Sequence, residues 1–122
     1  MPKWYARNEV AKKAIRIPLT IMEEKMLRKG YDAIPDRHTN YTINMYLADM
    51  AVKNLHKMQQ EMNETNQITL NIAHPVGCDS EIFIYCYIPV PDEKQLEKLA
   101  AYCGYTRIMM FRYCFVNELY KY

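Results

Sequence analysis

Hydrophobic and polar residues alternate near the start of the chain in the way that a half-buried β-strand requires. Ile15, Ile17 and Leu19 fall on one face of the segment 14–20, and the residues between them fall on the other. Pro18 lies in this segment and has no N–H to donate to a ladder. A lone strand leaves its main-chain groups unpaired, so we predict a partner strand from elsewhere, most simply its own copy in a second chain. The alternative is an ordinary strand of a mixed sheet that the strands of the second half complete.

The apolar positions after this strand recur at helical spacing, and a cap marks where the first helix begins. Thr20 and Glu23 stand three residues apart, as in a capping box, and Pro35 ends the helix by about Ala33. The charged residues of this helix, Glu23 included, are expected on its outer face. The apolar stripe is predicted to consist of Met22, Met26 and Leu27.

A second, longer helix is predicted after the polar break that begins at Pro35. Thr39, Asn40 and Thr42 are all residue types that cap helices, and the helix is expected to run to about Gln60. Most of its apolar residues follow one another at spacings of three or four. They are Ile43, Leu47, Met50, Ala51, Leu55 and Met58.

The second half of the chain begins with the patterns of two strands. Residues 68–73 alternate between apolar and other side chains, which predicts a half-buried strand. Residues 81–88 are apolar on both faces, which is typical of a strand that is central in its sheet or covered by a partner. We predict that the two strands form a hairpin.

A helix and a last strand are predicted to follow. Residues 89–91 break the strand, and the helix is then expected to begin at Asp92, which caps it, and to end at the left-handed stop Gly104. The run 107–116 is apolar on both faces and rich in aromatic residues, which predicts a strand, and 118–122 are expected to form a short helix.

Together these elements predict an α+β protein with two units. Residues 1–62 form a strand–helix–helix unit, and residues 63–122 form a small strand–strand–helix–strand unit for oligomerisation or partner binding. The sequence leaves open whether the two units share one core.

The distribution of charge is more informative than the net charge of +2. Residues 1–62 carry a balance of +4, and the remainder carries −2. A basic first half and an acidic second half are consistent with a nucleic-acid-binding unit followed by a separate unit.

The cysteines, Cys78, Cys86, Cys103 and Cys114, form no Cys-x-x-Cys pair and are expected to be free thiols. His74 and Cys78 share a loop, which leaves metal binding open as an alternative.

No cofactor, resident metal or enzymatic activity is predicted, because the chain has no phosphate loop, nucleophile elbow or His-Glu-x-x-His motif. No secretion signal or membrane span is evident, so a cytoplasmic protein is expected.

The segment 16–25 (RIPLTIMEEK) resembles the passage from strand to first helix in the ribbon-helix-helix family of DNA-binding proteins. Residues 46–48 resemble the part of that family's second helix that packs in the dimer core. In the family two chains pair their strands into an antiparallel ribbon, four helices surround it, and the ribbon enters the major groove. Most members join the helices by a tight turn with glycine and then a small polar residue, whereas this chain has Gly30 early and a longer link.

The resemblance implies a homodimer that binds duplex DNA sequence-specifically, as a transcriptional regulator or a plasmid or phage accessory factor. Ala14, Arg16 and Pro18 would face the bases, Thr20 would lie near the backbone, and the start of the second helix would hold a phosphate. The residues expected to bind DNA are Lys12, Lys13, Ala14, Arg16, Pro18, Thr20, Arg37, Thr39, Asn40 and Thr42.

A protein-interaction module, such as a small phage-type inhibitor of a host system, is the alternative function. The tyrosine-rich second half supports it, because aromatic residues dominate the energetics of protein interfaces. The two hypotheses differ in the partner, which is DNA or protein, and in the need for a dimer.

Overall fold

The computed structural model describes residues 11–67 and 82–119, and these residues form two strands and four helices. The elements in chain order are β1 (Lys12–Leu19), α1 (Ile21–Asp32), α2 (Ile43–Thr65), β2 (Ile82–Pro89), α3 (Val90–Cys103) and α4 (Arg107–Leu119). The α+β class is thereby confirmed. The predicted strand at 68–73, its hairpin, and the loop with His74 and Cys78 lie outside the described residues, as do residues 120–122 of the predicted tail helix.

β1 and β2 pair in antiparallel directions and form a two-stranded sheet, here called the ribbon. Lys12 lies opposite Pro89, and Leu19 lies opposite Ile82. The prediction that β1 pairs with its own copy is therefore wrong, because its partner lies in the same chain. Within the described residues the sheet has these two strands, and the other predicted neighbour of β2, at 68–73, lies outside them.

The two faces of the ribbon differ in exposure. The inner face is buried or half-buried and consists of Ile15, Ile17, Leu19, Ile82, Ile84, Cys86 and Ile88. The predicted alternation in β1 is thus confirmed. In β2, inward and outward residues also alternate, but both sets are apolar or aromatic. The hydrophobic pattern of the sequence therefore does not distinguish its buried face from its exposed one.

Pro18 fits within β1 because its missing N–H faces away from β2. The Val90 N–H donates to the Ala11 carbonyl at 3.1 Å, and bonded pairs alternate along an antiparallel ladder. Odd-numbered residues of β1 therefore bond to β2, and even-numbered residues turn their main-chain groups to the outer edge. The Pro18 carbonyl accepts there from Arg112 Nη1 at 2.7 Å.

The segment predicted as the last strand is the helix α4. Its buried residues include Met110, Phe111, Cys114 and Phe115, which lie on more than one side of the helix. A helix buried on several sides loses the periodic apolar stripe, so its sequence appears apolar on both faces of a strand. The rings of Phe111 and Phe115 meet edge to face at 5.9 Å between centroids, and each buried side chain contributes about 1.5–3 kcal/mol.

Two predicted positions on the other helices also need correction. Glu23 is 2% exposed and is not on the outer face of α1, because it pairs with Arg112. Asp92 is not the cap of α3, since the helix begins after Pro89 and has no side-chain cap. Asp92 Oδ1 lies instead 2.7 Å from His56 Nε2 and links α3 to α2.

The other helix ends agree with their sequence signals. Thr20 and Glu23 form the predicted capping box, and α1 stops at Asp32. Thr42 caps α2 by accepting from the Met45 N–H, and this helix extends to Thr65, beyond the predicted end.

The two halves of the structure repeat the same strand–helix–helix order. Thr42 caps α2, and Thr106 accepts from the Met109 N–H at 3.1 Å before α4. Buried residues then follow at the same intervals in both helices. They are Leu47, Ala48, Met50, Ala51 and Leu55 in α2, and Phe111, Arg112, Cys114, Phe115 and Leu119 in α4.

Packing between the halves follows the same approximate two-fold symmetry. α2 packs on β2, and α4 packs on β1. α2 and α4 also contact one another, and each contacts the first helix of the other half. One hydrophobic core therefore joins the halves, which answers the question that the sequence left open. The predicted unit boundary after Met62 falls within the last turn of α2.

Candidate nucleic-acid interface

The outer face of the ribbon is exposed and combines cationic and aromatic side chains. Phe83, Tyr85 and Tyr87 are 47%, 52% and 60% exposed. Lys12 and Arg16 are exposed on the neighbouring strand. Within the described residues of the two strands, this face carries no carboxylate. Its members are Lys12, Ala14, Arg16, Pro18, Phe83, Tyr85, Tyr87 and Pro89.

Arg16 is held on this face by an aromatic ring. Its guanidinium carbon lies 3.7 Å from the centroid of the Phe83 ring, on the diagonal of the ladder. A stack of this kind is worth about 0.5–1 kcal/mol at an exposed site. The stack restricts the Arg16 side chain but covers only one face of the guanidinium. The N–H donors along its edge remain available, and they match the paired acceptors of guanine.

A groove of about 660 Å³ lies at one end of the ribbon, between the strands and the start of α2. Three of the residues predicted to bind DNA, Lys12, Asn40 and Thr42, line it together with Tyr87. The free amides at the start of α2 attract anions. Asp49 also lines the groove, and its carboxylate, which accepts from the Tyr41 hydroxyl at 2.8 Å, repels them. A phosphate group would therefore have to bind at Lys12 and the start of the helix.

Four other residues of the predicted set are exposed or half-buried. Ala14 and Arg16 are exposed on the outer face, and Pro18 is half-buried there. Thr39 is exposed in the link between α1 and α2, next to the groove-lining Asn40.

Three predicted residues have local structural roles instead. Lys13 belongs to the inner side of β1, and its ammonium lies 3.5 Å from Glu93. The hydroxyl of Thr20 accepts from the Glu23 N–H, so it caps α1. Arg37 lies over the Tyr31 ring at 3.9 Å and donates to the Tyr31 carbonyl at 2.7 Å, which holds the link against α1.

A buried ion pair fixes one edge of the ribbon to the helices. Arg112 Nη1 and Nη2 donate to the two carboxylate oxygens of Glu23 at 2.9 and 2.8 Å. Burial opposes the charged form of Glu23, but the hydrogen bonds from Arg112 and Thr20 outweigh it and lower the pKa of the carboxyl. Since Nη1 also donates to Pro18, the pair joins β1, α1 and α4.

The side chains of the described residues offer little for metal or thiol chemistry. No group of three or more potential metal ligands occurs within 11–67 and 82–119. The prediction of free thiols is confirmed for Cys86, Cys103 and Cys114. Burial raises the pKa of the Cys86 thiol to about 12 and, with a smaller effect from Cys103, that of Cys114 to about 12. Such thiols are poor nucleophiles.

Sequence reasoning missed the aromatic half of this face and the partner of Glu23. The strand pattern at 81–88 places Phe83, Tyr85 and Tyr87 on one side of that strand. No local pattern showed that this strand pairs with β1, which brings the three aromatic residues next to Arg16. A usable signal was the Gly-x-Thr turn between α3 and α4: Gly104 has φ 72° and Thr106 caps the next helix. That turn has a glycine followed by a small polar residue, whereas the link after α1 has small polar residues but no glycine.

Comparisons with protein-family models, curated proteins and solved structures find no significant match to this chain. Among the described helices, none has both the length and the apolar character needed to cross a bilayer.

Proposed function

We propose that this protein binds duplex DNA sequence-specifically by inserting the outer face of the ribbon into the major groove. The observation that carries the proposal is an exposed antiparallel ribbon, flanked by four helices, whose outer face bears Lys12 and Arg16. The major groove of B-DNA admits a two-stranded ribbon. This arrangement corresponds to the one that the ribbon-helix-helix resemblance implies for two chains, and here one chain forms it.

Arg16 is the residue expected to read a base. Stacked on Phe83, its guanidinium is positioned to make paired hydrogen bonds to O6 and N7 of guanine. Lys12 and the start of α2, at the groove, are expected to contact phosphates and to contribute affinity without sequence preference.

The test compares Arg16→Ala with the natural protein on a selected duplex and on unrelated duplexes, over a range of salt concentrations. Loss of a bidentate contact is expected to weaken binding to the selected duplex by about 1–3 kcal/mol and to relax preference at one position. Arg28→Ala is the matched control, because Arg28 is an exposed arginine on α1 that pairs with Glu24. Equal, sequence-preferring binding by Arg16→Ala would contradict the proposed pose.

A second candidate function is protein binding by the same face. The three exposed aromatic side chains of β2 favour it, since aromatic residues are enriched in the centres of protein interfaces. The salt titration separates the two candidates. A chain that shows no salt-dependent affinity for any duplex would favour a protein partner.

A further inference from the structure

We propose that one copy of this chain occupies one DNA site, and that the sequence of that site lacks two-fold symmetry. The inference rests on the DNA-binding function proposed above and deepens it. It replaces the homodimer that the family resemblance implies, and with it the palindromic site that a symmetric dimer would bind.

The ribbon has an approximate two-fold axis at its centre. Arg16 lies opposite Tyr85, and each stands four residues before the residue that precedes its helix, Thr20 or Pro89. The axis therefore passes between Arg16 and Tyr85 and exchanges β1 with β2. A protein of this shape made from two identical chains would present identical side chains to the two halves of a site.

Residues related by this axis differ in side chain at three positions of the outer face. Arg16 corresponds to Tyr85, Ala14 to Phe83, and Pro18 to Tyr87. Arginine presents several donors to guanine, whereas an aromatic ring offers apolar contact to the methyl group of thymine. The two strands are thus expected to prefer different bases in the two halves of the site.

The ribbon is also complete without a second copy. The inner faces of both strands are buried in one core. At the outer edges, the Pro18 carbonyl accepts from Arg112, and the Tyr85 carbonyl accepts from Asn44 Nδ2 at 2.7 Å. A strand added at either edge would have to displace one of these bonds, so the structure gives no reason for a further chain to join the ribbon.

The experiment first selects preferred duplexes from a random pool with the full chain. It then measures the number of chains bound per selected duplex by sedimentation. We expect one chain per duplex and a preferred sequence that differs from its own inverted repeat. Palindromes built from either half of that sequence are expected to bind about tenfold more weakly, as expected when one base-specific contact is lost.

Two variants show which half of the DNA site each strand contacts. Arg16→Ala and Tyr85→Ser are each expected to change preference in one half of the site, and in different halves. Tyr102→Ser is the matched control, because Tyr102 is a tyrosine on α3 with 55% exposure, close to the 52% of Tyr85. Its selected sequence is expected to equal that of the natural protein.

The failures of the two proposals are distinguishable. A symmetric preferred sequence with two chains per duplex, or changes by either variant in both halves at once, would overturn this inference and leave DNA binding standing. Failure of the natural protein to bind any duplex with salt-dependent affinity would overturn the proposed function and this inference together.

Discussion

At the scale of single residues, Glu23 combines two structural roles. One carboxylate oxygen accepts from the Thr20 N–H and closes the capping box of α1. Both oxygens accept from Arg112, 89 residues further along the chain. Each partner is nearly inaccessible to water, so either one alone would be a buried charge without compensation.

Replacing Glu23 by Gln is therefore expected to destabilise the protein by about 3–5 kcal/mol, the usual effect of removing one partner of a buried pair. Glu24→Gln is the matched control. Its carboxylate pairs with Arg28 on the surface of α1, where the loss is expected to stay within about 1 kcal/mol. Denaturant titration at neutral pH measures both, and equal losses in the two variants would contradict the prediction.

The same comparison across pH adds an independent readout. Because the folded-state pKa of Glu23 lies below its ordinary value of 4.5, its contribution is complete above that value and is lost as the pH falls through the folded-state pKa. The free energy of unfolding should therefore fall less steeply in acid for Glu23→Gln. Part of the dependence should persist, since a hydrogen bond from Arg107 outweighs burial and lowers the pKa of Glu93 too.

The sequence predicted one role of Glu23 and missed the other for a physical reason. A capping box is a local pattern, so Thr20 and Glu23 suffice to recognise it. The pairing with Arg112 depends on how α1 and α4 meet, and no local pattern specifies that. The same limit applies to Phe83, whose contact with Arg16 exists only because β1 and β2 pair.

At the scale of elements, the helices with one solvent-facing side were predictable, and the helix buried on several sides was not. α2 has a stripe of buried residues and a threonine cap, and both are visible in the sequence. α4 repeats the cap and the spacing, but extra buried residues such as Met110 and Val116 hide its period. The Gly104 stop and the Thr106 cap were the better indicators there.

A close contact between two helices gives the prediction at this scale. A Cβ added at Gly30 of α1 would lie 2.7 Å from the hydroxyl of Tyr46 in α2. The Tyr46 ring is half-buried and packs on Tyr31 with 6.0 Å between centroids, so it can yield only with loss of packing. Gly30→Ala is therefore expected to destabilise the protein although alanine favours a helix by about 1 kcal/mol.

Thermal unfolding in a double-mutant cycle provides the control. In a Tyr46→Phe background the hydroxyl is gone, and the nearest ring carbon, 3.5 Å from the added Cβ, is at ordinary contact distance. Gly30→Ala should then be stabilising. If Gly30→Ala changed the stability equally in both backgrounds, the Tyr46 hydroxyl would not be the reason that alanine is unfavourable at this position.

At the scale of the whole molecule, the fold depends on an interaction between the two halves of the chain. Within residues 11–67 and 82–119, each half supplies one strand and two helices, and one hydrophobic core contains residues from both. The sequence indicated the parts of each half, but the pairing of residues 12–19 with residues 82–89 spans too much chain for a local pattern to reveal.

Cutting the chain between the halves is expected to abolish folding as a monomer. Fragments 1–67 and 68–122 would each expose an inner strand face, including Ile15 and Ile17 in one and Cys86 and Ile88 in the other. Circular dichroism and sedimentation should show each fragment unfolded or self-associated. An equimolar mixture should recover the helical signal as a one-to-one complex. A folded monomer of either fragment would contradict the prediction.

The two bonds at the ribbon edges have a consequence for the behaviour of the protein at high concentration. Two exposed strand edges are ordinarily a template on which further chains add, and continued addition leads to amyloid-like fibres. Pro18 offers no donor, its carbonyl is held by Arg112, and the Tyr85 carbonyl is held by Asn44. Growth from either edge is thus obstructed, so the aromatic ribbon is expected to resist fibre formation for as long as α2 and α4 remain docked.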